Sequence, residues 1–221
     1  MRNFIFDFNG TLFLDAEIHR EAWKRFMARH GQPITDELFY RYMYGPANGE
    51  ILRRFFGDGL TDDEVRALSE EKEALYRQIV LADPALRRLA PGAGEMLDGL
   101  KARSVPCAIA TASILDNVMF YLDDLGVRRW FDEAHIFYDT DGLPGKPDPA
   151  IYRLAMNRLG FVPEETTVVE DSRSGIQSAA GAGVGRIIAI DTTLGPQVLA
   201  GMPQVDAVIH DFYGFERFIE A

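Results

Sequence analysis

The sequence contains almost no cysteine. Cys107 is the only one among 221 residues, so a disulfide within the chain and a cysteine-based zinc site are both excluded. Cys107 lies in the apolar run 105–110, where we expect a buried and unreactive thiol.

Positive charge is also in deficit. Lys and Arg number 23 against 34 Asp and Glu, which gives a net charge of −11 and a pI near 4.8. Nucleic acids and anionic membrane surfaces require a basic surface, so we expect neither as a partner. A small anionic substrate remains compatible with this charge, because local dipoles or a metal ion can reverse the field inside a site.

Long apolar runs are missing as well. No stretch approaches the 18 or so apolar residues that span a bilayer, and residues 1–7 lack the apolar core of a signal peptide. The hydrophobic fraction of 47% is nevertheless enough for a sizeable core. We therefore expect a soluble, cytoplasmic protein, and the sequence does not indicate an oligomeric state.

Short apolar runs alternate with helical patterns over most of the chain. The predicted strands are 3–8, 105–110, 134–138, 166–170, 186–190 and 207–209. The predicted helices between the later strands are 92–102, 114–125, 149–159 and 174–182. Nearly continuous apolar strands that alternate with helices predict an α/β fold with a doubly wound, Rossmann-like parallel sheet.

Residues 15–86 interrupt this alternation with helical patterns only. The predicted helices are 16–30, 36–44, 49–56 and 62–81. Thr61 and Glu64 form a capping-box pattern that predicts the start of the last helix. The last helix carries a mostly apolar stripe, formed by Val65, Leu68, Lys72, Leu75 and Ile79. We therefore predict an α/β core of residues 1–14 and 87–221 with an all-helical insertion of residues 15–86.

Polar residues follow four of the predicted strands. These residues are Asp7, Thr111, Lys146 and the pair Glu170-Asp171. Because ligands of an open parallel sheet bind outside the carboxyl ends of its strands, these side chains are expected to share one rim. One lysine, one hydroxyl and several carboxylates are suited to a phosphate together with a hard cation such as Mg²⁺.

The order and spacing of these motifs resemble the haloacid dehalogenase superfamily, in particular its β-phosphoglucomutase and phosphatase branch with a helical cap. The family's D-x-D-x-T, Thr/Ser, lysine and acidic motifs are matched here by Asp7 with Thr11, Thr111, Lys146, and Glu170-Asp171. The resemblance covers nearly the whole chain, and it implies that the insertion is a cap domain over an α/β core.

The resemblance also implies roles for individual residues. Asp7 is expected to be the nucleophile that forms an aspartyl-phosphate intermediate, and Thr111 and Lys146 are expected to bind the transferring phosphoryl group. Mg²⁺ is expected to be held by Asp7, the backbone carbonyl of Asn9, Asp171 and Glu170. The expected substrate-binding residues are Gly10, Thr11, His19, Gly45, Ala112 and Ser113.

Asn9 departs from the family pattern, which has a proton-transferring Asp at this place. An amide cannot exchange a proton near neutral pH, and loss of a positioned acid or base costs about 10²–10⁴ in rate. The resemblance also raises two other chemistries. The dehalogenase branch uses no metal, so the acidic pair Glu170-Asp171 disfavours it. The phosphonate-cleaving branch needs a cap lysine that forms a Schiff base, and residues 43–48 contain no lysine. An engineered exchange of Asp for Asn also remains open.

Three functions therefore remain after the sequence has been read. The first is a slow Mg²⁺-dependent phosphatase that acts on a small phosphorylated metabolite, expected to be a sugar phosphate. The second is a β-phosphoglucomutase-type phosphotransferase, and the third is a catalytically degenerate relative that only binds such a metabolite.

The loop around Gly45 lacks basic residues, although Arg53, Arg54 or Arg77 are candidates to replace them. A second phosphate would be poorly paired without them, which favours a monophosphate hydrolase over a mutase.

Overall fold

The computed structural model describes residues 3–44, 46–138 and 143–219. The chain divides into two compact units, one formed by Met1–Leu14 with Arg88–Ala221 and the other by Asp15–Arg87. Within the described residues, every helix is too short or too polar to cross a bilayer.

The first unit is built on one parallel sheet of six strands. The strands are β1 (Asn3–Phe6), β2 (Cys107–Ala110), β3 (Ile136–Phe137), β4 (Thr166–Glu170), β5 (Arg186–Ile190) and β6 (Ala207–Ile209). The strand order is β3-β2-β1-β4-β5-β6, and every pairing is parallel.

The α-helices of the described residues are α1 (Ala16–Arg29), α2 (Asp36–Tyr42), α3 (Asn48–Phe56), α4 (Asp62–Ala82), α5 (Ala93–Ala102), α6 (Leu115–Asp123), α7 (Ala150–Leu159), α8 (Arg173–Ala182) and α9 (Pro196–Ala200).

Both faces of this sheet are covered, which explains why its strands are continuously apolar. Successive side chains of a strand point to opposite faces. Phe4 and Phe6 therefore share one face, where they pack against Phe212 and Phe215. Ile5 points to the other face and belongs to a buried cluster with residues of α7, α8 and α9. The predicted doubly wound α/β fold is confirmed.

The first and third strands are shorter than predicted, for local reasons. β1 ends at Phe6 rather than at residue 8, because Phe8 lies in a turn and is buried by stacking on Tyr121 at a centroid distance of 4.2 Å. β3 keeps only two residues and pairs with β2 alone, as an edge strand. The short helix α9 was missing from the prediction, since its five residues are too few to show a helical period.

The topology places β1 at the point where the strand order reverses. The chain runs from β1 through β2 to β3 on one side of β1, and β4 then pairs with the opposite side of β1. This reversal is the position at which open α/β sheets bind ligands. The carboxyl ends of β1 and β4 are therefore the place to look for a site.

The second unit consists of α1 to α4, and its core lies between α1, α3 and α4. Trp23, Phe26 and Met27 of α1 are buried, as are Leu75 and Tyr76 of α4. The predicted stripe on α4 is confirmed at Lys72 and Leu75, whereas Val65, Leu68 and Ile79 are only half-buried. Glu73, Tyr76 and Val80 are buried beside that stripe. The buried face of α4 is therefore broader than predicted, and it includes charged groups.

The capping box at the start of α4 gives a stability test. The Thr61 hydroxyl accepts a hydrogen bond from the Glu64 backbone N–H, and the Glu64 carboxylate accepts one from the Thr61 backbone N–H. Thr61→Ala removes the side-chain acceptor and should lower the free energy of unfolding by about 1 kcal/mol in urea denaturation. Thr61→Ser keeps the hydroxyl and should stay close to the native protein. Equal losses in the two variants would show that the cap is not the cause.

Candidate active site

Carboxylates of the first unit converge where β1 and β4 end. Asp7 directly follows β1, and its backbone N–H donates to the carbonyl of Val169 at 2.9 Å. Glu170 is the last residue of β4 and Asp171 follows it. All three carboxylates are buried. The strand-order reversal thus brings together the three acidic residues that the sequence singled out.

Lys146 lies between two of these carboxylates. Its Nζ donates to Asp7 Oδ1 and to Glu170 Oε1, each at 2.6 Å, and to the carbonyl of Ala110 at 3.1 Å. Burial works against the charged ammonium, but Asp7 and Glu170 raise the pKa of Lys146 well above its usual value. The ammonium therefore stays charged and joins the ends of β1, β2 and β4.

The two partners of Lys146 differ in their ionisation. Burial raises the pKa of Asp7 to about 7, with the Lys146 ammonium opposing the rise and the Glu170 charge adding to it. Burial also acts to raise the pKa of Glu170, but Lys146 and hydrogen bonds from Ser172 and Tyr152 hold it below its usual value. Lys146 and the hydrogen bonds therefore favour the ionised form of Glu170, whereas burial disfavours the ionised form of Asp7.

Glu170 has its oxygens occupied by protein donors. Oε1 accepts from Lys146 and also from the Tyr152 hydroxyl at 2.9 Å. Oε2 accepts from the backbone N–H groups of Asp171 and Ser172 at 3.0 and 3.1 Å, and from the Ser172 hydroxyl at 3.0 Å. These contacts make Glu170 an anchor for Lys146, and its direct contact with a metal ion stays a prediction.

Asp171 is held from two sides by hydroxyl groups. The Thr11 hydroxyl donates to Oδ1 at 3.4 Å, and the Thr193 hydroxyl donates to Oδ2. Burial, followed by the charges of Glu170 and Asp7, raises the pKa of Asp171 well above its usual value. A cation beside Asp171 would offset these effects and favour its ionised form.

The three carboxylates fit a divalent cation. One oxygen from each of Asp7, Glu170 and Asp171 lies within 4.8 Å of the other two. Lys146 supplies one positive charge against three carboxylates, so a further cation is needed to balance the charge of the cluster when all three are ionised. Hard cations such as Mg²⁺ take carboxylate oxygens as ligands. The donor set therefore suits an oxygen-preferring metal ion.

The carboxylates of Asp171 and Glu170 occupy space that is free only because two neighbouring residues are glycines and have no side chain. Gly10 has a φ of +79°, and a Cβ added there would lie 2.2 Å from Asp171 Oδ2. A Cβ added at Gly175 would lie 1.7 Å from Glu170 Oε1. Gly10 was predicted as a substrate-binding residue, and its position beside Asp171 places its backbone at the site.

Asn9 faces a group of hydroxyls in the same unit. Its Oδ1 accepts from Ser113 Oγ at 2.7 Å and from Thr111 Oγ1 at 3.2 Å, and its Nδ2 donates to the Tyr121 hydroxyl at 2.9 Å. Ala112 is exposed between Thr111 and Ser113 in the loop after β2. The structure thus brings Asn9, Thr111 and Ser113 together, and their contacts with a substrate stay predictions.

The remaining predicted residues, His19 and Gly45, belong to the second unit. His19 Nδ1 accepts from Lys72 Nζ at 2.7 Å, and its ring stacks on Tyr76 at a centroid distance of 4.2 Å. Lys72 Nζ also donates to Glu73 Oε1 at 2.7 Å. Burial acts to raise the pKa of Glu73, but the Lys72 ammonium and the hydrogen bonds from Lys72 and Asn48 contribute to lowering it to about 2. Gly45 lies outside the described residues.

Several polar residues of these clusters are not among those that the sequence analysis predicts. Thr193 follows β5, so the same rule that found Asp7 and Thr111 could have found it. Tyr121 and Tyr152 lie inside α6 and α7, where a tyrosine is indistinguishable from a core residue. Glu73 sits within a helix rich in charged residues, and no signal marks it as buried.

Comparisons with known proteins agree with this geometry. A family model described as haloacid dehalogenase-like hydrolase matches residues 1–183. The chain is 32% identical to a phosphorylated carbohydrates phosphatase of Thermotoga maritima, over 86% of this chain and 85% of that protein. It is 29% identical to a β-phosphoglucomutase of Bacillus subtilis, over 83% of this chain and 81% of that protein.

A solved structure matches the fold closely. It is a HAD hydrolase of family IA, variant 3, from Entamoeba histolytica, and it superposes with a TM-score of 0.89 at 31% identity. The match covers 96% of this chain and 94% of that one.

The charge balance around Lys146 gives a second test. Lys146→Met removes the ammonium but keeps an apolar stem, which leaves Asp7 and Glu170 buried without their cation. Breaking a buried ion pair in this way costs about 3–5 kcal/mol, so urea denaturation should show a loss of that size. Lys101→Met, at an exposed lysine of α5, is the matched control and should change stability by about 0.5 kcal/mol or less. Similar midpoints for both variants would contradict this account of Lys146.

Proposed function

The chain is a phosphohydrolase of the haloacid dehalogenase-like hydrolase family, and we propose that it is a Mg²⁺-dependent phosphatase acting on a small sugar phosphate. The observation that carries the proposal is the placement of buried Asp7 against Lys146 and beside Asp171 at the ends of β1 and β4. A carboxylate, a fixed ammonium and a cation-binding cluster are the groups that phosphoryl transfer through an acyl phosphate requires.

In the proposed reaction, Asp7 is the nucleophile. A carboxylate oxygen of Asp7 forms a bond to phosphorus while the bond from phosphorus to the sugar oxygen breaks. Water then cleaves the aspartyl phosphate, which releases inorganic phosphate and restores the carboxylate. Asp7 must be ionised to attack, and burial raises its pKa to about 7, so neighbouring positive charge favours the reactive form.

The charge of the transferring group is met by Lys146, Thr111 and the proposed Mg²⁺. When bound to Asp7, Asp171 and the backbone carbonyl of Asn9, Mg²⁺ would neutralise phosphate oxygens and orient the phosphate. Lys146 contributes a donor already fixed at 2.6 Å from Asp7. Glu170 keeps that ammonium in place and would contribute to the cation site through the same cluster.

Asn9 sets the expected speed of this reaction. Its carboxamide neither gives up nor takes a proton near neutral pH, so the sugar oxygen leaves without a protein acid and water attacks without a protein base. The chain should therefore turn over sugar phosphates slowly and should be faster on acyl phosphates, whose leaving group needs no proton.

The second unit favours a monophosphate over a bisphosphate. The arginines that are candidates to bind a second phosphate are engaged with carboxylates: Arg53 with Asp62 at 2.6 Å, Arg54 with Glu50 at 3.3 Å, and Arg77 with Glu70 at 3.6 Å. A mutase must hold a bisphosphate intermediate, whereas a hydrolase need not. The relative that acts as a phosphorylated carbohydrates phosphatase supports the hydrolase.

Two alternatives remain as outcomes of the test. A β-phosphoglucomutase-type enzyme is supported by the Bacillus subtilis relative. A non-catalytic protein that binds a phosphorylated metabolite is supported by Asn9, and it is opposed by the presence of Asp7, Lys146 and Asp171 in one cluster.

The proposal is tested by comparing the native chain with Asn9→Asp on acetyl phosphate, p-nitrophenyl phosphate and a panel of sugar phosphates, with Mg²⁺ and with a chelator. The native chain should show slow, Mg²⁺-dependent release of inorganic phosphate, fastest on acetyl phosphate. Asn9→Asp should gain about tenfold or more on sugar phosphates, since a positioned acid or base contributes about 10²–10⁴ in rate.

Asp7→Asn is the control, and it should abolish turnover in both backgrounds. An inactive native chain that Asn9→Asp activates would identify the non-catalytic binder. Interconversion of sugar phosphates without phosphate release would identify the mutase. Failure of Mg²⁺ with beryllium fluoride to raise the melting temperature would refute both the phosphatase and the binder, because a ligand that binds only the folded chain must stabilise it.

A further inference from the structure

The carboxamide of Asn9 closes a ring of hydrogen bonds. Asn9 Nδ2 donates to the Tyr121 hydroxyl at 2.9 Å, and Asn9 Oδ1 accepts from Ser113 Oγ at 2.7 Å. The hydroxyls of Tyr121 and Ser113 lie 3.0 Å apart, within hydrogen-bond distance of each other, and this contact completes the ring. The Thr111 hydroxyl also contacts the ring: its Oγ1 lies 3.2 Å from Asn9 Oδ1 and 3.1 Å from Ser113 Oγ. The Tyr121 oxygen also lies 3.3 Å from Asn9 Oδ1, the longest of these distances.

The carboxamide takes part in this ring both as a donor and as an acceptor. Its N–H is given to the Tyr121 hydroxyl, and its oxygen accepts from the hydroxyls of Ser113 and Thr111. The donor and the acceptor lie on opposite arms of the carboxamide, so these contacts fix which way the group is turned. A carboxylate at position 9 could accept from the same hydroxyls, but it would offer no donor to Tyr121.

Tyr121 is the rigid member of this ring. Its side chain is buried, and its ring stacks on Phe8 with an interplanar angle of 24°. Phe8 is itself fully buried and lies between Asp7 and Asn9 in the chain. The aromatic stack thus fixes the Tyr121 hydroxyl relative to the segment that carries the nucleophile.

We propose that Tyr121 is a positioning residue that acts through Asn9: it holds the carboxamide, two residues after Asp7 in the chain, in one orientation. The catalytic consequence rests on the proposed phosphatase function. Small misplacements near a reacting centre are costly in rate, and residues of a site are held in productive geometry by neighbouring hydrogen bonds and packing. In this chain the neighbours of Asn9 are hydroxyls on α6 and on the loop after β2, and they orient a neutral dipole.

The activity test is Tyr121→Phe, which removes one hydroxyl and keeps the aromatic stack. On acetyl phosphate with Mg²⁺, kcat should fall about tenfold with KM changed by about twofold or less, because the Asn9 carboxamide loses its fixed orientation while phosphate binding remains. Tyr213→Phe is the control at an exposed tyrosine of the same unit, and it should match the native kcat.

A double-mutant cycle separates positioning from a general effect on folding. In the Asn9→Ala background the carboxamide that Tyr121 contacts is absent, so Tyr121→Phe should change kcat by about twofold or less. An equal fall in kcat in both backgrounds would overturn the proposal, as would an unchanged kcat in the native background. Should Tyr121→Phe fail to fold, Ser113→Ala opens the same ring and should show the same dependence on Asn9.

A readout without turnover uses the metal-free protein. The side-chain NH₂ signals of Asn9 in a ¹⁵N–¹H spectrum are identified by their loss in Asn9→Asp. Their hydrogen exchange should be slow in the native protein and at least fivefold faster in Tyr121→Phe, with no change in Tyr213→Phe. Equal exchange in native protein and Tyr121→Phe would refute the ring. If the native chain releases no phosphate from any substrate, the proposed function fails, and the exchange rates still decide whether Tyr121 orients Asn9.

Discussion

The structure at the strand ends depends on one buried ammonium. Asp7, Glu170 and Asp171 are withdrawn from water together, and removing a carboxylate from water costs several kcal/mol unless a cation and hydrogen bonds compensate. Lys146 supplies that compensation to Asp7 and Glu170 at once. Its contact with the Ala110 carbonyl extends the same anchor to β2. The position of Asp7 is thus set by charge as much as by the strand that precedes it.

The sheet brings these buried residues together although they lie far apart in the chain. β1 pairs with β4 so that Phe6 lies opposite Val169, which places the residues that follow each strand side by side. The loop after β5 then adds Thr193 to Asp171. Each of these polar groups is therefore carried by a strand end or the loop behind it, and the apolar strands hold those ends in place.

The sequence predicted those parts of the molecule that obey a local rule. Alternating strands and helices predict the doubly wound sheet, and the position of polar residues at strand ends predicts that Asp7, Thr111 and Glu170-Asp171 share one rim. Tyr121, Tyr152 and Glu73 could not be found in this way. Their polar atoms are recruited by partners from other elements, and a buried hydroxyl or carboxylate inside a helical pattern looks the same whether or not it meets such a partner. The short β3 and α9 were also beyond reach, because two or five residues carry no period.

Asn9 is best understood through the hydroxyls around it. Its carboxamide donates to Tyr121 and accepts from Ser113, whereas an aspartate at this position could only accept. The carboxamide also adds no charge to a unit that already buries Asp7, Glu170 and Asp171 against Lys146, the only ammonium that the described structure shows contacting them. The position therefore holds an uncharged dipole whose direction is set by its neighbours, in a chain that keeps the buried carboxylates at its strand ends.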